Sequence, residues 1–171
     1  MTLELKHTFD EKTYRHFLNG FNIVLHCHHY MGLTTKLSED FDDIGGTKIL
    51  AETTEDTIRP ILDEYVKTHA IAAGDARLKM AAEFYSVMGM GKMEASGSAD
   101  AGKVSLSKSH VDQGWVKKWG NSPKPVNHFT RGYIAAMYAA AFDKPARSYK
   151  VTETEAIVTG KPASSFAVAK Q

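Results

Sequence analysis

A chain of 171 residues, 43% apolar and 24% charged, has room for one core of ordinary size. Its net charge of +1 leaves no strong field for nucleic acid or an acidic partner, and no apolar run approaches the length of a membrane span. The single cysteine, Cys27, excludes an internal disulfide. With no charged-then-apolar leader, a reducing cytoplasm and one domain over 1–171 are expected.

In chain order, 13–39 reads as one long helix: 100° steps gather Phe17, Phe21, Val24, Leu25, His28, Met31 and Gly32 on one arc. "DDIGG" breaks it. A second helical stretch spans 46–69, with Pro60 as a kink or a boundary. "AAGDARLKMAAEFYSVMGMG" reads as a third helix with Leu78, Ala81, Ala82, Tyr85 and Met88 on its apolar face. The first 90 residues are thus expected to be helical, and the rest, from 91 on, hairpin, helices, hairpin.

The period then changes. Two β-like runs, 92–96 and 103–109, flank a Gly/Ser/Asp-rich connection and suggest a hairpin. "VDQGWVKKWG" is a short helix with Trp115 and Trp119 one turn apart, closed by Gly120. "VNHFTRGYIAAMYAAAF" is a helix whose small residues permit close approach, either in internal packing or in self-association. "RSYKVTETEAIVTG" and "SSFAVAK" form a final hairpin around "GKPA". Paired strands with helices give an α+β fold, an antiparallel sheet of two hairpins with helices packed on it.

The densest chemistry lies in "LHCHHY", residues 25–30. His26 and His29 share one helical flank and His28 faces inward. With distant His110, these imidazoles suit a transition metal or haem. They suit equally the polar end of a small molecule, or plain hydrogen bonding in a core. The metal candidates are His26, His29 and His110. Cys27 is a lone nucleophile candidate beside the imidazoles. "SHVDQGW" leaves two readings open: His110 with Asp112 as a general base, or Ser109 as the cap of the following helix with Asp112 at capping-box distance. Trp115, Trp119, Phe129, Tyr133 and Tyr138 make an aromatic set that builds either core or an apolar pocket.

"RGYIAAMYAAAF…YKVTETEAIVTGKPASSFAV" resembles the C-terminal signature of the 4-vinyl-reductase (hydrocarbon-binding) domain family. That signature runs from a glycine-bearing helix into a strand with E-x-x-C and then G-x-x-x-C-x-F. Glu153, Gly160 and Phe166 stand in register, and the resemblance covers roughly 75–171. The family includes the sensor domains of phenol- and toluene-responsive regulators and is related in fold to haem-based nitric-oxide sensors. The resemblance implies a pocket for a small apolar or aromatic ligand. Together with the shared aromatic face it puts Phe21, His28, His110, Trp115 and Tyr133 in the lining, and a homodimer is expected. The resemblance also implies a structural zinc held by one glutamate and three cysteines. Here the matching positions are Glu153, Ala156, Ser164 and Asn127, so that zinc is expected to be absent and Glu153 to be a hydrogen-bonding or surface residue. Three functions follow: a ligand-binding sensor or carrier, a metal- or haem-dependent enzyme, and a tetrapyrrole-related chaperone or assembly factor.

Overall fold

The computed structural model describes residues 4–171. The expected long N-terminal helix is not what forms. Residues 7–23 make a three-stranded antiparallel meander of β1 (His7–Asp10), β2 (Arg15–Leu18) and β3 (Phe21–Ile23). The physical reason is local. Asn19 and Gly20 both take positive φ, 50° and 84°, and pair Leu18 with Phe21 across a two-residue turn. Asn-Gly is the strongest short hairpin signal because its twist matches that of the flanking strands. The helical spacing of Phe17, Phe21, Val24 and Leu25 was a coincidence across a strand, a turn and a linker. The helix proper, α1, begins only at His28 and runs to Asp40.

After a short 3-10 turn, Asp42–Ile44, α2 runs unbroken from Gly46 to Thr68, so Pro60 lies inside one helix and not between two. Helix α3 (Asp75–Val87) leads into β4 (Gly91–Gly97) and β5 (Ala101–Ser109). Helices α4 (His110–Trp119) and α5 (His128–Ala141) follow, then β6 (Tyr149–Glu155), a 3-10 turn at Ile157–Thr159, and β7 (Ser164–Lys170). The strand order is β4-β5-β7-β6, all antiparallel. The two expected hairpins are therefore joined edge to edge by β5 and β7, with Val104 opposite Phe166. Met93, Val104, Leu106, Phe166 and Val168 are buried on the sheet's inner face.

Helix α5 fills the centre: it carries twelve buried residues, from His128 to Ala141. Its small side chains serve internal packing, not an outer surface. A Cβ on Gly132 would run into the Ala51 carbonyl oxygen, so glycine is what lets α5 lie against α2. A smaller second core gathers Trp115, Val126, Ala156 and Val158. Helix α1 seats on α4 by the same device. A Cβ on Gly114 would stand 2.7 Å from the His28 carbonyl oxygen, and one on Gly32 would touch Trp119. That seating brings the first turn of α1 beside the first turn of α4. Among the described residues no helix is long and apolar enough to cross a membrane.

Candidate functional site

Two neighbouring features stand out, both anchored in the first turn of α4. The first is a cleft of about 550 Å³ between the N-terminal strands, the linker after β3, and the α3–β4 turn. Leu18, Ile23, Leu25 and Met88 give it apolar walls, and His26 and His110 stand in its lining. The linker side chains Val24 and Leu25 also line it, yet are 78% and 74% exposed. They have apolar surface still to bury.

The imidazoles come together here although 84 residues separate the outermost two. The His26 and His110 ring centres are 5.6 Å apart, and those of His28 and His110 are 6.2 Å apart. The His29 ring lies 4.3 Å from that of His28, tilted by 36°, and its Nδ1 lies 3.8 Å from the exposed Cys27 sulfur. The Nε2 atoms of both His28 and His110 are buried with no hydrogen-bond partner. Burial pushes the pKa of each down. Neighbouring charge adds to this, from His29 and Lys117 at His28 and from His26 and His28 at His110. Both rings are thus held neutral at pH 7, each with a nitrogen free to donate or accept. As placed, His26 and His110 face each other while His29 turns toward His28 and Cys27. Among the described residues, no group of three or more His, Cys, Asp or Glu side chains is arranged to hold a metal ion.

The aromatic residues expected in the pocket are dispersed. Phe21 is half-buried in β3. Tyr133 is fully buried in the main core, donates to the Ala81 carbonyl at 2.7 Å and packs edge-on to Tyr85. Trp115 belongs to the second core. None of the three lines the cleft.

The second feature is a buried polar knot at the start of α4. Ser109 caps α4, its Oγ accepting from the Asp112 N–H at 3.2 Å. Asp112 does not reach toward a catalytic role beside His110; its Oδ2 accepts from Asn127 Nδ2 at 3.0 Å and from Ser164 Oγ at 3.3 Å. Asn127 caps α5 through Thr130 N–H at 3.1 Å, and its own N–H donates to Glu153 Oε2 at 3.2 Å. Asp112 Oδ1 and Glu153 Oε1 are buried and unpartnered. Burial, and then the charge of Asp112, push Glu153 up to about 8, and burial raises Asp112 as well. These are the positions where the resemblance implies a zinc, and the residues do not fit one. Ala156 offers no donor atom. Ser164 Oγ is engaged by Ile157 N–H and by Asp112, and the side chain of Asn127 is used in three hydrogen bonds. The sequence reading took Asn127 and Ser164 as losses and missed that Ser109, Asp112 and Thr130 take up their bonding. The cap signature at Ser109 was the available clue.

No family model matches the chain, and no curated protein does. Among solved structures, one match is the crystal structure of the phenol-responsive sensory domain of the transcription activator PoxR with phenol. The TM-score is 0.77 at 15% identity, over 96% of this chain and 84% of that one. The chain shares the fold of that domain. The likeness reaches well beyond the C-terminal residues that carry the sequence resemblance, into the N-terminal half. At this identity it speaks for the fold alone, and the resemblance to the 4-vinyl-reductase family rests on the quoted residues.

Proposed function

We propose that residues 1–171 form one small-molecule-binding domain that takes a small apolar or aromatic molecule in the histidine-edged cleft, and that it works as a homodimer. The observation that carries this is the pairing of apolar walls with the buried, unpartnered Nε2 of His110 in the same lining, next to the equally unpartnered Nε2 of His28. Ligand sites are mostly apolar concavities of roughly 300–1,000 Å³ with a few placed polar groups, and the cleft's 550 Å³ falls in that range. A ligand hydroxyl or carbonyl would satisfy the orphaned Nε2 of His110, whose burial unpaired costs about 1–3 kcal/mol. Its apolar part would be covered by Val24 and Leu25. The fold neighbour's binding of phenol supports the class of ligand. Calorimetric titration of phenol and of toluene into wild type, His110→Ala and Met88→Trp tests it. Phenol should bind wild type, lose affinity in His110→Ala and fail to enter the cleft filled by Met88→Trp, while toluene should be indifferent to His110. Binding of both probes unchanged in both folded variants would refute the assignment.

A second reading has its own support: three histidine rings within 6.2 Å of a neighbour, beside a free thiol, form an imidazole-rich corner suited to a late transition metal or a haem. It requires His29 or His26 to move toward His110. Elemental analysis and the visible spectrum of purified protein decide it.

A further inference from the structure

Helix α1 buries only one side. Met31, Gly32, Thr35 and Ser38 face the protein. Along the other side, Tyr30, Leu33, Leu37 and Phe41, continued by Ile44 on the following turn, are each between 50% and 71% exposed. Three large apolar side chains along the helix, with Phe41 at its C-cap and Ile44 in the 3-10 turn just beyond, are not what a solvated face carries.

The spacing of the row is symmetric. Counted from Leu37, apolar residues stand four positions away on either side, Leu33 and Phe41, and seven positions away, Tyr30 and Ile44. A row of this kind reads the same in both directions. It is therefore complementary to itself when two copies pack antiparallel about a two-fold axis at Leu37, as an isologous contact requires. Leu37 then meets the partner's Leu37, Leu33 the partner's Phe41, and Tyr30 the partner's Ile44. Charge agrees with this direction. Helix α1 has no acidic residue in its first turn and no side-chain cap, while Asp42 and Asp43 follow its C-terminal end. Antiparallel pairing places the partner's Asp43 at the uncapped, electropositive N-terminus. Parallel pairing would stack those aspartates on their own copies.

The area also fits. A stable interface takes about 800 Å² from each partner, roughly two-thirds of it apolar in homodimers. Five side chains of this size, at least half exposed, supply on the order of 500 Å². We infer that the α1 face from Tyr30 to Ile44 is the homodimer interface, two copies of α1 packing antiparallel with Leu37 on the two-fold axis. The inference rests on the homodimeric reading above and names the surface that makes it. It also puts the linker carrying His26 and Cys27 directly beside the interface.

The test is the mass of the full chain in solution, by light scattering at micromolar concentration, for wild type and Leu37→Glu. Leu37→Glu sets two carboxylates face to face on the axis and should weaken self-association about a hundredfold or more, leaving a monomer with the circular dichroism of wild type. In a Cys27→Ser background, Leu37→Cys should oxidise to a covalent dimer. Tyr30→Cys and Ile44→Cys should each remain single chains and cross-link only when mixed. A wild-type monomer would overturn the homodimer and this surface together. A dimer that survives Leu37→Glu, or a folded Leu37→Cys that does not cross-link, would leave the homodimer standing and overturn the helix pairing.

Discussion

Glu153→Gln isolates the cost of the buried carboxylate pair. Glu153 is 9% exposed, one of its oxygens has a single backbone donor, and the other has none. Its pKa in the folded protein is about 8, against an ordinary 4.5. The folded state therefore holds a proton that the unfolded chain has released, throughout the window from 4.5 to 8. Stability supplied by this group is fully present below 4.5 and is lost as pH rises through 8. At 1.36 kcal/mol for each tenfold change, the loss approaches about 4–5 kcal/mol above pH 8, a large share of the 5–15 kcal/mol typical of a whole domain. Glutamine keeps the shape and an oxygen for the Asn127 N–H but cannot ionise. Urea unfolding, followed by the fluorescence of Trp115 and Trp119, should give wild type and Glu153→Gln equal stability within about 1 kcal/mol at pH 5.5. At pH 9 the variant should be the more stable by about 2–5 kcal/mol. Parallel stability profiles across that range, or a variant weaker at pH 9, would show that Glu153 is ionised in the fold and that the reasoning fails.

Three further outcomes follow from named contacts. Ser109→Ala removes the α4 cap and an acceptor for Asn127 Nδ2, and should lower stability by about 1–2 kcal/mol in chemical unfolding. Gly132→Ala forces a methyl against the Ala51 carbonyl and should cost about 3 kcal/mol or more, read as a fall in melting temperature. His28 and His110 have pKa values below the ordinary 6.5, so the unfolded chain takes up protons first as pH falls through 6.5. Stability should therefore decline on that acid side, and His28→Gln/His110→Gln should flatten the decline; an unchanged slope would mean that the rings are not desolvated.

Local signals explain what was legible in the sequence. The strands from Gly91 to Ser109 are bracketed by glycine and serine. The α4 cap is a short-range motif, and α5 is a strong helix former, so each agreed with its tertiary setting. The stretch from 13 to 27 failed because a helical spacing of aromatics was weighed above the Asn19-Gly20 turn, which lay inside the same segment. The site was legible as residue types and not as geometry. That "LHCHHY" and His110 share one corner depends on Gly32 and Gly114 letting α1 sit on α4, a long-range contact that no periodicity announces. The dispersal of Trp115 and Tyr133 into separate cores was hidden for the same reason: both are aromatics on helices, and only packing decides which side of α4 and α5 they serve.

The polar knot and the histidine corner meet in α4. Asp112 lies two residues beyond His110, and its carboxylate is held by Asn127 from α5 and Ser164 from β7. Each such hydrogen bond is worth only about 1 kcal/mol net, but in a buried network the loss of one leaves its partner unpaired, at roughly twice that cost or more. The bonds thus fasten the start of α4 to two other elements at once. This fastening depends on protons: burial raises both Asp112 and Glu153, and Glu153, at about 8, is neutral at pH 7. The helix turn that aims His110 into the cleft is consequently set by a network whose charge changes near pH 8, while the histidine itself changes charge below 6.5. Between those limits the cleft presents the neutral imidazole of His110 on a fixed turn.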